Sequence, residues 1–205
     1  LSCYNCRFTG WQDTIFNGDP MTCNMKKLML PDFFQTSEVP IVHKFYRNYF
    51  KDCYVCGDVD YIFGPNTAFF DHCEIHSIAR VSEGKAYITA ASTPAGQEFG
   101  LVFSHCRITG EEPDSVYLGR PWRDCAKTAF ICCELGDHIC PEGWQNWGKV
   151  RAEVLSDYIE YGNFGPGADC SGRSPLSRCL VNPEVETYFS KENVLVGEDG
   201  WIPAE

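Results

Sequence analysis

The segment from Phe50 to Ile75 reads FKDCYVCGDVDYIFGPNTAFFDHCEI and contains two copies of one short pattern, Phe-x-x-Cys-x-apolar. The pattern recurs as FSHCRI from Phe103 and as FICCEL from Phe130, and a variant, CYNCRF, stands near the start of the chain. The cysteines of the four full copies are 20, 33 and 27 residues apart. Self-similar units at such spacings indicate a solenoid, in which each repeat stacks on the next.

Each unit is short, alternates apolar with polar residues, and is followed within a few residues by a glycine or a charged turn. Alternation of this kind predicts strands with one face turned inward. We therefore expect an all-β fold, a parallel β-helix whose phenylalanines and cysteines form ladders along the core. From about Ala152 strand patterns become sparse, and residues 152–205 are predicted to form an irregular tail with short helical pieces, packed on the β-helix.

The composition narrows the classes of partner. The chain has 205 residues, which suits a single domain, and carries a net charge of −11. A strong negative charge disfavours binding to nucleic acid or to an anionic membrane surface, whereas a neutral or partly neutralised polymer remains compatible. The sequence contains no run of about 18 apolar residues, which is the length that would predict a membrane span. The first residues also lack a basic region followed by an apolar stretch, so they do not form a signal peptide.

The 13 cysteines allow three readings: core residues, metal ligands or a redox pair. The motifs CYNC and CYVC have the CxxC spacing of zinc ligands. Positions i and i+3 of a strand point to opposite faces, however, and a redox CxxC needs a helix after it. We therefore expect most cysteines to be small apolar core residues and no metal site in these motifs. Cys170 and Cys179 are the best candidates for a disulfide.

Three stretches interrupt the repeat with polar residues: FTGWQDTIF, which contains Gln12 and Asp13; GDVDYIFG, which contains Asp60; and YLGRPWRD, which contains Arg120 and Trp122. A carboxylate among apolar residues needs compensation, and arginine is its natural two-point partner. If the three stretches lie on neighbouring coils, their side chains converge on one face. Each residue also has an ordinary structural explanation, such as a turn for Asp13 or the core for Trp122.

One chemical scheme uses all of these groups. Asp60, held ionised by Arg120, attacks an ester carbonyl while Gln12 donates a hydrogen bond to the oxyanion. Asp13 stays protonated, gives its proton to the leaving alcohol and later accepts a proton from water. Trp122 offers a flat surface for stacking against a sugar ring. Such a scheme requires the two carboxyl groups to have different pKa values.

Taken together, these three stretches, with YGNFGPGAD and NVLVGEDGW, resemble the motifs of pectin methylesterases from Cys3 to about Trp201. The resemblance implies a right-handed parallel β-helix, hydrolysis of the methyl esters of polygalacturonate, and no metal or organic cofactor. It implies Asp60 as nucleophile, Asp13 as general acid and base, Gln12 at the oxyanion, Arg120 as the partner of the nucleophile, and Trp122 as the stacking ring. Phe16, Val59 and Phe63 fall at positions that line the sugar groove.

The same resemblance marks departures. The family normally carries further coils before this position, so residues 1–205 are expected to be an N-terminally incomplete domain, monomeric unless that end is capped. Residues 17–43 are read as an inserted loop. Pectin as the partner implies secretion. A β-helix lyase or glycosidase acting on pectin, or a weakly active or non-catalytic pectin-binding fragment, remains the alternative.

Overall fold

The computed structural model describes residues 1–18 and 46–203, so most of the predicted inserted loop, residues 17–43, lies outside the described residues. Within the described part, sixteen strands form three parallel sheets, here called sheets A, B and C. A typical coil contributes one strand to each sheet in turn. The predicted parallel β-helix is confirmed.

Sheet A has seven strands, all paired in parallel and stacked in chain order. They are β1 (Ser2–Tyr4), β4 (Arg47–Lys51), β7 (Thr67–Asp71), β10 (Leu101–Ser104), β13 (Lys127–Ile131), β15 (Asp157–Tyr161) and β16 (Ser177–Leu180). The last two strands lie within the tail predicted to be irregular. They lack the Phe-x-x-Cys pattern, which is why the sequence did not reveal them.

Sheets B and C complete the coils. Sheet B contains β2 (Arg7–Thr9), β5 (Tyr54–Gly57), β8 (Glu74–Ser77), β11 (Arg107–Gly110) and β14 (Glu134–Leu135). Sheet C contains β3 (Ile15–Phe16), β6 (Val59–Gly64), β9 (Ala86–Ala91) and β12 (Val116–Gly119).

The repeated phenylalanines stack along the interior. Phe50, Phe70, Phe103 and Phe130 are in register on four consecutive strands of sheet A and are at most 2% exposed. Their ring centroids are 4.6, 4.7 and 4.5 Å apart and the planes are within 10° of parallel. Burying one aromatic side chain stabilises the fold by roughly 1.5–3 kcal/mol, so this ladder is a major part of the core.

The repeated cysteines form a second ladder beside the phenylalanines. Cys53, Cys73, Cys106 and Cys133 are free thiols, buried to 2% exposure or less. Each thiol donates to main-chain carbonyl groups, as Cys73 does to the carbonyl of Phe50 at 3.4 Å. These thiols therefore act as small core side chains with satisfied donors. Cys170 and Cys179, by contrast, form a disulfide, as expected.

The phenylalanine ladder ends at a buried ion pair. On β15 the place of the next phenylalanine is taken by Glu160, which is 2% exposed. Arg173 binds its two carboxylate oxygens at 2.9 and 3.0 Å, and the indole of Trp144 donates to it at 2.9 Å. A charge at this depth is tolerated only because it is paired and hydrogen-bonded.

The described helices are short: α1 (Ala152–Leu155), a 3-10 turn (Pro166–Ala168), α2 (Glu184–Tyr188) and α3 (Lys191–Leu195). Val194 and Leu195 of α3 pack against the outer face of sheet A with Tyr49 and Phe69. The tail thus covers apolar side chains that point away from the core. No helix of the described residues is long and apolar enough to span a membrane.

Candidate active site

Asp60 lies at an irregularity in sheet C. The register of β6 against β9 shifts between Val59 and Ile62, and Asp60 adopts a left-handed backbone conformation with φ of 50°. An extra residue in a strand re-aims the side chain at that position, and a non-glycine left-handed residue costs on the order of 1–3 kcal/mol. The bulge therefore sets Asp60 apart from the regular inward and outward alternation of β6.

Arg120 binds the Asp60 carboxylate through two hydrogen bonds. Its Nε donates to Oδ1 at 2.8 Å and its NH2 group donates to Oδ2 at 2.7 Å. The Asp60 side chain is 8% exposed and the Arg120 side chain 15%. A two-point pair of this kind fixes the orientation of both groups as well as their charges.

Arg120 is held in turn by two aromatic rings that the sequence reading did not single out. Its guanidinium carbon lies 3.8 Å from the ring centre of Tyr87 and 3.7 Å from that of Trp147. Such stacking stabilises a cation and limits its movement. Trp147 stands in a polar turn between Asn146 and Gly148, which is an unusual setting for an indole and is a sequence signal for a functional role. Tyr87 lies within an ordinary strand pattern and gives no such signal.

The approach of β12 to β9 depends on Gly119. A side chain at Gly119 would collide with Thr89, whose hydroxyl donates to the carbonyl of Leu118 at 2.8 Å. The next residue is Arg120, whose amide donates to the carbonyl of Thr89 at 3.0 Å. The glycine therefore allows the close contact from which the arginine reaches Asp60.

Asp13 occupies the position equivalent to Asp60 on the neighbouring coil. Ile15 pairs with Ile62, and the amide of Asp13 donates to the carbonyl of Val59 at 3.1 Å. Asp13 is also left-handed, with φ of 58°. Asp13 itself lies in a bend two residues before β3, and its main-chain bond to Val59 places it next to the bulge that carries Asp60.

The electrostatic environments of the two carboxyl groups differ. Burial raises the pKa of Asp60, while the hydrogen bonds and the charge of Arg120 act in the opposite direction. Burial and the charge of Asp60 raise the pKa of Asp13, and Arg120 lowers it. Among the carboxylates of the described residues, Arg120 forms an ion pair with Asp60 alone. That Arg120 keeps Asp60 ionised stays a prediction, because the contact favours the ionised form and burial disfavours it.

The remaining predicted residues lie around this pair. Gln12 is exposed and directly precedes Asp13, whereas Val59 is buried beside Asp60. The rings of Phe16, Phe63 and Trp122 form a continuous half-buried row, with centroids 5.0 and 5.7 Å apart. Of the predicted site residues, the structure brings Asp60 and Arg120 into direct contact and places Asp13 beside the bulge, bonded to Val59.

Two further cations act on the Asp60 carboxylate. Lys149 donates to the carbonyls of Pro121 and Trp122 at 2.6 and 2.9 Å, and burial lowers its pKa. The charges of Lys149 and Arg80, like that of Arg120, lower the pKa of Asp60. These cations partly offset the two carboxylates of the site in a protein whose net charge is −11.

The fold is a parallel β-helix, and its candidate active site is an aspartate of sheet C bound by an arginine. The pectinesterase family model matches residues 37–198, and the chain belongs to the pectinesterase family, whose members are carboxylic ester hydrolases.

The chain is 37% identical over 183 residues to pectinesterase 31 of Arabidopsis thaliana, a match that covers 88% of this chain and 48% of that protein. It is 26% identical to pectin methylesterase from carrot, with a TM-score of 0.74, over 95% of this chain and 56% of that one. A pectin methylesterase solved in complex with a hexasaccharide, 24% identical, shares the fold with a TM-score of 0.66 over 98% of this chain and 58% of that one. The chain spans about half the length of the relatives it matches.

Proposed function

We propose that this chain hydrolyses methyl esters of polygalacturonate, releasing methanol and leaving free carboxylates. The observation that carries the proposal is the two-point pair between Asp60 and Arg120 on a strand bulge, with Asp13 beside that bulge on the preceding coil. Membership of the pectinesterase family supports the choice of ester and polymer. The proposed partner is methylated pectin, and the disulfide agrees with a secreted protein.

In the first half-reaction the Asp60 carboxylate attacks the carbonyl carbon of the methyl ester. The Gln12 amide donates a hydrogen bond to the oxyanion that forms. Collapse of this intermediate breaks the bond to the methoxy oxygen, and Asp13 donates its proton so that methanol leaves. The raised pKa of Asp13 favours the protonated form that this step needs.

In the second half-reaction Asp13, now ionised, accepts a proton from water while the water oxygen attacks the acyl carbon. The bond to Asp60 breaks, which restores the Asp60 carboxylate beside Arg120 and releases the galacturonate carboxyl group. Phe16, Phe63 and Trp122 form the apolar wall against which the sugar rings stack, and Val59 is the buried residue directly before the nucleophile. Aromatic faces of this kind are suited to the apolar faces of sugars.

The test is incubation with highly methylated pectin, with methanol measured directly. We expect methanol release with acidification, and a loss of at least roughly 10³-fold in Asp60→Asn and Asp13→Asn. Asp58→Asn is the matched control, because its half-exposed carboxylate accepts from the Val59 amide at 2.7 Å and has no part in the scheme. That variant is expected to keep most of the activity.

The alternatives give different products. Unsaturated, ultraviolet-absorbing oligosaccharides would identify a lyase, and new reducing ends without methanol would identify a glycosidase. Retention on a pectin column without any product would identify a binding protein. Each of these results would replace the proposed reaction, as would an Asp60→Asn variant with full esterase activity.

A further inference from the structure

The corner that connects sheet A to sheet B repeats one backbone conformation in every coil. The residues before Cys6 and before the four cysteines of the ladder are left-handed, with φ between 52° and 53°: Asn5, Asp52, His72, His105 and Cys132. In the following coil Gly162 takes this place with φ of 63°. Because the positions stack from coil to coil, this corner carries a column of side chains on the outside of the β-helix.

Three consecutive members of this column are potential metal ligands. The rings of His72 and His105 are stacked with centroids 5.2 Å apart and planes within 7° of parallel. Cys132 follows on the next coil, and its thiol is free and half-buried. Imidazole nitrogen and thiolate sulfur are the donors that zinc and related divalent ions prefer in proteins.

A carboxylate from a distant part of the chain meets this column. Glu186, on α2, places a carboxylate oxygen 3.7 Å from Nε2 of His105, and the Cys132 thiol lies close to the same carboxylate. The three donor atoms all lie within 4.8 Å of one another. Two donors bound to one tetrahedral zinc ion are roughly 3.3–3.7 Å apart, from bond lengths of about 2.0–2.3 Å, so only a small adjustment is needed.

The histidine is already oriented for such a role. Nδ1 of His105 lies 3.0 Å from the hydroxyl of Ser104, so the other ring nitrogen, Nε2, is the one that faces Glu186. Metal-binding histidines in proteins are commonly held through their second ring nitrogen in this way. The stacked ring of His72, itself bonded to Asp71 at 2.6 Å, restricts movement of the His105 ring further.

We propose that His105, Cys132 and Glu186 bind a divalent transition-metal ion, preferably Zn²⁺, which fastens α2 of the C-terminal tail to the β-helix. Nε2, Sγ and one carboxylate oxygen are the protein ligands, and water takes the fourth position. The Cys132 thiol loses its proton to solvent when the metal–sulfur bond forms. This site is separate from the candidate active site, which is built on sheet C, so the proposal does not depend on the esterase activity.

The test titrates the metal-free chain with Zn²⁺ in competition with a chromophoric zinc indicator. We expect one equivalent to bind, and affinity to fall more than about tenfold in Cys132→Ser and in Glu186→Gln. The matched controls are Cys125→Ser, which removes another free, half-buried thiol, and Glu184→Gln, which changes a second glutamate of α2. Both controls are expected to bind as the wild type does. Circular dichroism without metal checks that every variant folds.

A second measurement identifies the sulfur ligand. With Co²⁺ in place of Zn²⁺, the wild type should show a near-ultraviolet sulfur-to-metal charge-transfer band that Cys132→Ser lacks and Cys125→Ser keeps. The proposal would be overturned if the wild type bound no stoichiometric Zn²⁺. It would also be overturned if Cys132→Ser and Glu186→Gln bound Zn²⁺ as tightly as the wild type does. Loss of binding in the two controls would also overturn it, because other thiols would then hold the ion.

Discussion

At the scale of single residues, the candidate site depends on two aspartates in an uncommon backbone conformation. Asp13 and Asp60 are both left-handed, Asp13 in the bend before β3 and Asp60 at the bulge of β6. Such positions are retained when surrounding contacts compensate for them, and here the Arg120 pair provides a strong one for Asp60. The same contact acts on the charge of the proposed nucleophile, and we therefore expect it to govern the response of the proposed reaction to pH.

We expect the proposed activity to fall on the acid side as Asp60 becomes protonated. Because burial raises the pKa of Asp60, the midpoint should lie above the value of about 3.9 for an exposed aspartate. Arg120 lowers this pKa, so Arg120→Gln should move the acid midpoint upward, by about one to three pH units. The measurement is the pH profile of kcat/KM for both proteins. An unchanged acid midpoint in the variant would contradict this assignment.

At the scale of elements, the sheets are held in register by ladders of like side chains. The four phenylalanines of sheet A stack nearly parallel, and the four cysteines beside them fill the corner with small side chains. Every member contacts the coils before and after it. A change in one rung is therefore felt by two neighbouring coils, since the packed interior cannot relax freely.

Phe103, in the middle of the ladder, provides the test. Its ring stacks on Phe70 and on Phe130, and the residue is fully buried. We expect Phe103→Ala to reduce the free energy of unfolding by about 3–5 kcal/mol, measured by urea denaturation. The control is Phe164→Ala, because Phe164 is 57% exposed, and a much smaller effect is expected. Similar losses in the two variants would show that the ladder is not a special source of stability.

At the scale of the whole molecule, the core ends at a polar cluster assembled from three separate segments. Glu160 comes from β15, Trp144 from the loop after β14, and Arg173 from the loop before β16. Arg173 also donates to the carbonyl groups of Gly167 and Pro141, at 2.6 and 3.1 Å. This cluster joins the last coils to the loops that cross the end of the core.

Removal of one partner from this ion pair should be more harmful than removal of both. Arg173→Met leaves a buried, unpaired carboxylate, and we expect a loss of about 3–5 kcal/mol in the free energy of unfolding. The double variant Arg173→Met, Glu160→Gln removes the charge and should recover part of that loss. Chemical denaturation of the three proteins measures both effects. A double variant less stable than Arg173→Met would contradict this explanation.

The sequence by itself determined the parallel β-helix, because the recurring phenylalanine and cysteine positions are local signals that each coil repeats. It also pointed to Asp13, Asp60 and Arg120, because polar residues interrupted an apolar repeat. Only the tertiary structure decided which groups touch: that Arg120 lies between Tyr87 and Trp147, that Glu160 replaces a phenylalanine in the ladder, and that Glu186 reaches His105. These contacts join residues far apart in the chain, and they depend on coil register and on the path of the tail, which no short pattern encodes.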